Sequence, residues 1–262
     1  MWLATLPRSA LTVQPASAAV KSVPDSPFDW AHMNAASPIP ENTGNTDPRF
    51  KAGNIVVSYR HLSTVAVVDR DSKKIVWTAI GTTLGQHHTH MIAGGLPGAG
   101  NILVFDNGNN SVNGNPRRTE DRPNSRGVEI DPANDSVVWE YTAEKSHQPI
   151  WTFFSHYISS VQRQPNGNTL ICCGTQKRLI EVTPDKQIAW EFKAEDAPEL
   201  NITWVSSVQQ LKNGNLLVGN FLRGQEGKGA HAFEVTRDKK VVWKWADHSF
   251  IKSLTTVRAL GE

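Results

Sequence analysis

The chain lacks the features that mark several large classes of protein. It has only two cysteines in 262 residues, and no apolar run approaches the roughly 20 residues that a membrane-spanning helix needs. No run of lysine and arginine exceeds two residues, and the formal net charge is only +2. This small charge argues against nucleic acid and against a membrane surface as partners. The remaining composition, with 39% hydrophobic residues, is that of a soluble globular protein able to bury a sizeable core.

The two cysteines, Cys172 and Cys173, are adjacent within an apparent strand. Neighbouring side chains in a strand point to opposite faces, so a disulfide between these two residues is geometrically unfavourable. We predict two small buried thiols, which say little about the redox compartment of the protein.

Tryptophan, in contrast, is abundant, and four of the nine tryptophans recur in one local context. Each of these segments has a Gly-Asn turn, an apolar strand, a second strand ending in Asp or Thr, a polar turn and a third strand that carries the tryptophan. One more apolar stretch precedes each Gly-Asn pair, which makes four strands per repeat. The segments are 53–78, 100–141, 167–192 and 214–245, with Trp77, Trp139, Trp190 and Trp243.

A sheet of four antiparallel strands has two faces to cover, so such repeats pack face to face around a central channel. The sequence therefore predicts an all-β β-propeller of four-stranded antiparallel blades, with about five blades and a range of four to six, as a single domain over residues 28–262. The repeated tryptophan suits the contact between neighbouring blades. The last segment, FIKSLTTVRALGE, matches only the innermost strand of a fifth blade.

The first residues, MWLATLPRSALTVQPASAAV, partly resemble an export signal. They include one arginine and a small-residue end, but two prolines and a glutamine interrupt the apolar part. We interpret residues 1–27 either as a disordered leader or as part of the blade that closes the ring. The predicted location is periplasmic or secreted, with a cytoplasmic one left open.

The strand before each Gly-Asn turn is the inner strand that lines the channel, and the second of these strands carries three histidines within four positions. In a strand His88 and His90 share one face, while His87 lies on the other. The corresponding strands of other repeats carry His32 and the Ser155–His156–Tyr157 run. The histidines therefore converge on one axis, although a single histidine on a β surface is more often a hydrogen-bonded packing residue.

Two arginines add a second component, Arg60 at the end of a strand and Arg126 at the start of another. A planar guanidinium binds the oxygens of sulfate, phosphate or carboxylate with two parallel hydrogen bonds. A solvated surface arginine is the alternative for both residues. The Asp106-Asn107-Gly108 run is first of all a turn, but its asparagine could orient a ligand.

Several motifs resemble those of the arylsulfotransferase-like propellers. They are DWAHMN (29–34), VSYR (57–60), QHHTHM (86–91) with NILVFDNG (101–108), SRGVEIDP (125–132), and PNGNTLI (165–171) with EVTPDKQIAWEF (181–192). The resemblance covers about residues 28–192, whereas residues 200–262 match only quinoprotein-like propeller repeats.

The resemblance implies a reaction in which a histidine at the channel mouth attacks the sulfuryl group of an aryl sulfate. The transient sulfohistidine then passes the group to a phenolic acceptor, and no metal or diffusible cofactor is required. By motif, His87 resembles the nucleophile, with His32 and Arg60 as its catalytic partners. The residues predicted to bind substrate are Asn34, His90, Asn107, Ser155, Tyr157 and Arg126.

Two other functions stay open at this point. The same histidines could hold a divalent metal for hydrolysis or elimination, since convergent imidazoles are typical metal ligands. A propeller can also be non-catalytic and bind a ligand or a protein partner, because a fold alone does not decide function. The family has a further histidine-bearing blade before the DWAHMN segment that this chain lacks, so a second copy of the chain could complete the site.

Overall fold

A computed structural model describes residues 31–109 and 121–261. Within these ranges the chain forms sixteen strands in four antiparallel sheets of four strands each. Blade one holds β1 (Met33–Pro38), β2 (Ile55–Tyr59), β3 (Thr64–Val68) and β4 (Ile75–Ile80); blade two holds β5 (His87–Met91), β6 (Ile102–Asp106), β7 (Arg126–Asp131) and β8 (Ser136–Tyr141). Blade three holds β9 (Ser160–Arg163), β10 (Thr169–Cys173), β11 (Arg178–Val182) and β12 (Ile188–Lys193); blade four holds β13 (Val205–Gln210), β14 (Leu216–Asn220), β15 (Ala232–Val235) and β16 (Val241–Trp245).

The strands of each blade follow one another in chain order, and the first strand of each blade lies at the inner edge of its sheet. The inner strands of successive blades are neighbours, β1 beside β5 and β9 beside β13. The prediction of an all-β propeller is thus confirmed, with four blades in the described residues. The predicted boundary between residues 27 and 28 lies outside those residues.

Short 3-10 helices connect several strands. They are Pro48–Phe50, Arg60–Leu62, Ala143–Ser146, Ile150–Thr152, Ala194–Asp196 and Pro198–Leu200. Within the described part of the chain, no helix has the length and the apolar character needed to span a membrane.

Each Gly-Asn pair opens its second strand through a glycine in the left-handed region. The φ angles are +82° at Gly53, +88° at Gly100, +87° at Gly167 and +84° at Gly214. An L side chain is strained in this region, which explains why glycine recurs at this position of every blade.

Three apolar layers hold the blades together, one between each successive pair. Val56 and Val65 of blade one pack with Ile102 and Val104 of blade two. A second layer joins blades two and three, and a third joins blades three and four. Burial of these side chains is the main favourable contribution to the fold, at about 25 cal/mol for each Å² of apolar surface.

The repeated tryptophans act between blades, as the sequence predicted. The indole Nε1–H of the first three donates to the turn between the third and fourth strands of the next blade. The pairs are Trp77 with Asp135 Oδ1 (2.9 Å), Trp139 with the Pro184 carbonyl (3.2 Å) and Trp190 with the Arg237 carbonyl (2.8 Å). Trp243, in the last of the four blades, is 45% exposed.

The C-terminal segment, residues 254–261, runs alongside β13 in the same direction. Ser206 Oγ donates to the Leu254 carbonyl, and the Val257 and Ala259 amides donate to Ser207 Oγ and Gln209 Oε1. The segment thus lies where the inner strand of a fifth blade was predicted. It is not itself a β-strand, because no second strand of its own pairs with it among the described residues.

The adjacent cysteines are both free thiols with no exposed surface. Cys172 packs in the layer between blades three and four, whereas Cys173 packs in the layer between blades two and three. Burial raises the pKa of both thiols, that of Cys173 to about 12. The prediction of two buried thiols on opposite faces of one strand is confirmed.

Candidate active site

His87 lies at the start of β5, where the inner strand of blade two enters the channel. The pairing of β5 with β6 shifts register between His87 and Thr89, so His88 is an extra residue with a φ of +46°. A bulge of this kind re-aims the neighbouring side chains. The rings of His88 and His90 lie together, 5.0 Å apart, as the alternation of side chains along a strand predicts, while His87 makes separate contacts.

A hydrogen bond to Asn107 fixes the His87 ring. Its Nδ1 lies 2.8 Å from Oδ1 of Asn107, and the amide nitrogen of Asn107 donates to the Ser155 carbonyl at 2.8 Å. Because this donation turns the amide oxygen toward His87, Nδ1 must carry the hydrogen. The lone pair of the neutral ring is therefore on Nε2.

The surroundings of His87 keep its ring neutral. The pKa of His87 is lowered to about 3, mainly by burial, and the charges of Arg60 and His32 act in the same direction. The hydrogen bond with Asn107 favours the charged form but does not offset burial. A neutral imidazole with an available lone pair is a competent nucleophile at pH 7.

Arg60 brings a buried cation to the same region. It directly follows β2 as the first residue of the 3-10 helix Arg60–Leu62 and is 2% exposed. Its guanidinium carbon lies 5.2 Å from the centre of the Tyr157 ring, which stacks on Trp204 at 6.0 Å. Blades one, three and four thus contribute a cation beside two aromatic rings.

His32 and Asn34 approach from blade one. His32 has a φ of +47°, and its ring stacks on that of His61 at 4.7 Å. Asn34 Nδ2 donates to the Gln86 carbonyl at 2.8 Å, directly before His87. The buried Oδ1 atom of Asn34 has no partner among the residues that the structure describes, and it is available to a donor on a ligand.

Gln86 holds the entrance of β5 in position, a role that the sequence alone did not predict. Its side chain is completely buried, and its amide nitrogen donates to Ser58 Oγ and to the Thr64 carbonyl, both at 3.0 Å. Its amide oxygen accepts a hydrogen bond from Thr83 at 2.9 Å. These bonds tie the entrance of β5 to blade one. The sequence signal was a glutamine directly before the histidine cluster.

Three of the predicted substrate-binding residues are held away from the His87 ring or are already engaged. His90 lies farther along β5 beside His88. The guanidinium of Arg126 binds the carboxylates of Asp106 and Glu140 at 2.7 and 3.0 Å. The Ser155 hydroxyl donates to the Tyr157 carbonyl at 2.8 Å. Their roles as substrate ligands stay predictions.

The histidines do not form a donor set of the kind that metals need. In residues 31–109 and 121–261, no group of three or more His, Cys, Asp or Glu side chains is arranged to hold a metal ion. Catalytic zinc sites use three protein ligands. The alternative of a metal-dependent hydrolase or lyase stays a prediction.

The three histidines of β5 predict a marked sensitivity of the fold to acid. Burial lowers the pKa of His87 to about 3, that of His90 to about 4 and that of His88 well below 6.5. The unfolded chain therefore binds more protons than the folded chain below pH 6.5, so stability is lost as pH falls from 6.5 toward 4. We expect urea titrations to show a loss of about 2–4 kcal/mol per pH unit between pH 6 and 4.5.

The matched variant for this prediction is His90→Gln. Removing one of the three titrating rings should lower the slope by about 1 kcal/mol per pH unit. A free energy of unfolding that stays constant between pH 7 and 5 would contradict the prediction.

A family model described as arylsulfotransferase (ASST) matches residues 6–195, well over half of the chain. No curated protein matches it. Among solved structures, a protein of unknown function from Bacteroides caccae aligns with a TM-score of 0.55 and 19% identity, over 84% of this chain and 70% of that one. This likeness shows the fold alone.

Two further structures align less well. Virginiamycin B lyase from Staphylococcus aureus has a TM-score of 0.45 and 10% identity, over 72% of this chain and 51% of that one. Hydrazine synthase of Kuenenia stuttgartiensis has a TM-score of 0.49 and 11% identity, over 74% of this chain and 46% of that one. With four propeller blades and with the family model matched over residues 6–195, the chain belongs to the arylsulfotransferase (ASST) family.

Proposed function

We propose that this protein transfers a sulfuryl group from an aryl sulfate to a phenolic acceptor through Nε2 of His87. The observation that carries the proposal is the state of the His87 ring. Asn107 holds Nδ1–H at 2.8 Å, so the basic lone pair is on Nε2, and burial keeps the ring neutral. This is the arrangement that a nucleophilic imidazole requires.

In the first step the Nε2 lone pair attacks the sulfur of the aryl sulfate. The N–S bond forms while the bond between sulfur and the aryl oxygen breaks, and the departing phenolate takes that electron pair. Positive charge develops on the ring during attack, and Asn107 Oδ1 stabilises it by accepting the Nδ1–H hydrogen bond. The sulfuryl group is then carried on His87.

In the second step the oxygen of a phenol attacks the same sulfur. The N–S bond breaks and its electron pair returns to Nε2, which restores the neutral ring. The phenol hydroxyl loses its proton in this step, and His32 is our candidate for the base that accepts it. The products are the new aryl sulfate and an enzyme whose His32 carries the proton, and release of that proton to solvent or to the departing phenolate restores the starting state.

Arg60 supports both steps as the ligand of the sulfuryl oxygens. Its fixed charge matches the negative charge that these oxygens carry throughout the transfer. The neighbouring rings of Tyr157 and Trp204, stacked at 6.0 Å, offer flat apolar surface to the aryl group of the donor or acceptor.

The direct test is to trap the intermediate. Incubating the protein with 4-nitrophenyl sulfate and no acceptor should add one SO₃ group to the peptide that contains His87, as measured by mass spectrometry. Adding phenol should remove the group and yield phenyl sulfate. Nitrophenol release without any label on His87, or label on a different residue, would refute the proposed nucleophile.

Two substitutions of Arg60 distinguish the contribution of its charge to catalysis from that of its planar shape. We expect Arg60→Gln to lower kcat/KM for 4-nitrophenyl sulfate by about 10²-fold, the usual cost of losing one donor to a reacting oxyanion. Arg60→Lys keeps the charge but loses the planar fork, so its kcat/KM should lie between the two. Because Arg60 is buried, thermal unfolding of each variant is the control, and equal activity of both variants and the wild type would contradict the role.

A further inference from the structure

Three aromatic side chains form a row beside Arg60, at the end of the blades where the inner strands begin. The Tyr157 ring lies 6.0 Å from that of Trp204, with an angle of 16° between the ring planes. The Trp204 ring lies 6.0 Å from that of Phe221, with an angle of 22°. All three side chains are half-buried, so part of each faces solvent. We call Tyr157, Trp204 and Phe221 the ring row.

The first ring of the row is tied to the residue that holds His87. The amide oxygen of Asn107 lies 2.8 Å from the His87 ring, and its amide nitrogen donates to the carbonyls of Ser155 and Ile158 at 2.8 and 3.3 Å. These carbonyls lie on the two sides of Tyr157 in the chain. Ile158 has a φ of +47°, which is strained for a β-branched residue and persists only where the surroundings impose it. Tyr157 is therefore held in a fixed place beside the nucleophile.

Backbone hydrogen bonds of blade four fix the other two rings. Asn220 Oδ1 accepts the N–H groups of Thr203 and Trp204 at 2.9 and 3.3 Å. The Phe221 N–H donates to the Trp204 carbonyl at 2.7 Å. Trp204 directly precedes β13 and Phe221 directly follows β14, which pairs with β13. The ring row is thus built on the ends of paired strands.

The spacing of the rings decides how a ligand uses the row. Carbon atoms in contact lie about 3.5–4.0 Å apart, so a ring inserted between two parallel rings needs about 7 Å between them. The steps of 6.0 Å are shorter, and near-parallel rings at this separation are offset rather than face to face. A planar ligand therefore lies along the uncovered part of the row and not between its rings.

Arg223 adds a second cation to the row. Its guanidinium carbon lies 5.7 Å from the centre of the Trp204 ring, and the side chain is exposed. Within the described part of the chain, this guanidinium forms no ion pair and no hydrogen bond. The Glu226 carboxylate of the same loop accepts the backbone N–H of Gly224 at 3.1 Å instead. A guanidinium with uncommitted N–H groups binds both oxygens of a carboxylate.

The geometry of displacement at sulfur lets one aryl subsite serve both substrates. In the proposed reaction Nε2 of His87 attacks the sulfur from one side, and the phenolate departs on the opposite side, as in other in-line transfers. The acceptor phenol must then attack from the side that the phenolate has vacated. The aryl groups of the donor and of the acceptor therefore occupy the same place in turn.

We propose that the ring row and Arg223 form this aryl subsite, and that it selects phenols and aryl sulfates which carry a carboxylate at the end away from the reacting oxygen. Arg60 binds the sulfuryl oxygens, Arg223 binds the carboxylate, and the ring row holds the aromatic body between them. The reaction at this subsite rests on the proposed function, whereas the binding preference can be measured without it.

Calorimetric titration with 3-(4-hydroxyphenyl)propanoate and with its uncharged amide tests the proposal. We expect the wild type to bind the acid about fivefold more tightly than the amide, the upper range for an exposed ion pair. Arg223→Gln should abolish this preference, and Arg223→Glu should reverse it. Lys228→Gln is the matched control and should keep the preference, because Lys228 is an exposed cation of the same loop outside the ring row.

A variant of the ring row tests the aromatic part of the subsite. Trp204→Ala should weaken the binding of acid and amide alike by about tenfold, because it removes the ring that both would contact. Should this variant fail to fold, the variants of the exposed Arg223 still decide the proposal. Equal affinity of the wild type for acid and amide would overturn it, as would a preference that Arg223→Gln does not change.

The transfer reaction is measured separately, as the SO₃ label that 4-nitrophenyl sulfate leaves on His87. A preference for the acid without any label would refute the sulfuryl transfer and support the subsite as a binding site for phenolic acids. Label on His87 without a preference for the acid would support the transfer and overturn the subsite.

Discussion

Replacing His87 by alanine is expected to lower kcat/KM for sulfuryl transfer from 4-nitrophenyl sulfate to phenol by about 10³-fold or more. The substitution removes the only group proposed to form the covalent bond, and water cannot adopt the same position with the same basicity. Release of nitrophenol measures the rate. His147→Ala is the matched control, because His147 is an exposed histidine of blade two, distant from the channel, and its loss should leave the rate unchanged.

Chemical rescue distinguishes a nucleophile from a structural histidine. Removing the His87 side chain leaves a cavity beside Asn107, which imidazole added to the buffer can enter. If His87 is the nucleophile, imidazole should restore part of the activity of His87→Ala and should appear as N-sulfoimidazole. Full activity of His87→Ala without imidazole would contradict the mechanism.

Replacing Asp106 by alanine is expected to destabilise the fold by about 3–5 kcal/mol. The Asp106 carboxylate has no exposed surface and binds Arg126 and Arg122 at 2.7 and 2.5 Å. It also accepts the backbone N–H of Leu84 at 2.8 Å. Its loss leaves two partly buried guanidinium groups and a partly buried amide without this partner, which costs more than the ion pairs themselves contribute.

Urea unfolding measures this change, and Asp185→Ala is the control because Asp185 is exposed in a turn of blade three. The control should lie within about 0.5 kcal/mol of the wild type. Asp106 also fixes the strand end that carries Asn107, so Asp106→Ala should lower transfer activity beyond any loss of folded protein. An unfolding free energy equal to that of the control would contradict the structural role.

The fold could be predicted from the sequence because one pattern is repeated four times. A Gly-Asn pair and a tryptophan at fixed places in each segment specify a turn, two strands and an interblade contact, and the pattern needs no knowledge of long-range packing. The number of blades was harder to predict. Residues 254–261 match an inner strand by sequence, but nothing in their sequence says whether a second strand would pair with them.

The site was only partly predictable for a related reason. The placement of His87 and His32 follows from strand order, since inner strands converge on one axis, and Arg60 follows the strand that pairs with the inner strand of blade one. The hydrogen on Nδ1 of His87 does not follow from strand order, because it depends on the bulge at His88 and on a carbonyl of a distant loop. Arg126 faces Asp106 directly across β6 and β7, and that register is visible only once the strands are paired.

The adjacent thiols of blade three have a practical consequence. Cys172 and Cys173 are covered by two different interblade layers, so each becomes alkylated only when its own layer separates. The alkylation rate of Cys172 would thus measure how often blades three and four separate, and that of Cys173 how often blades two and three separate. The two thiols therefore report the transient separation of neighbouring blades without any introduced label.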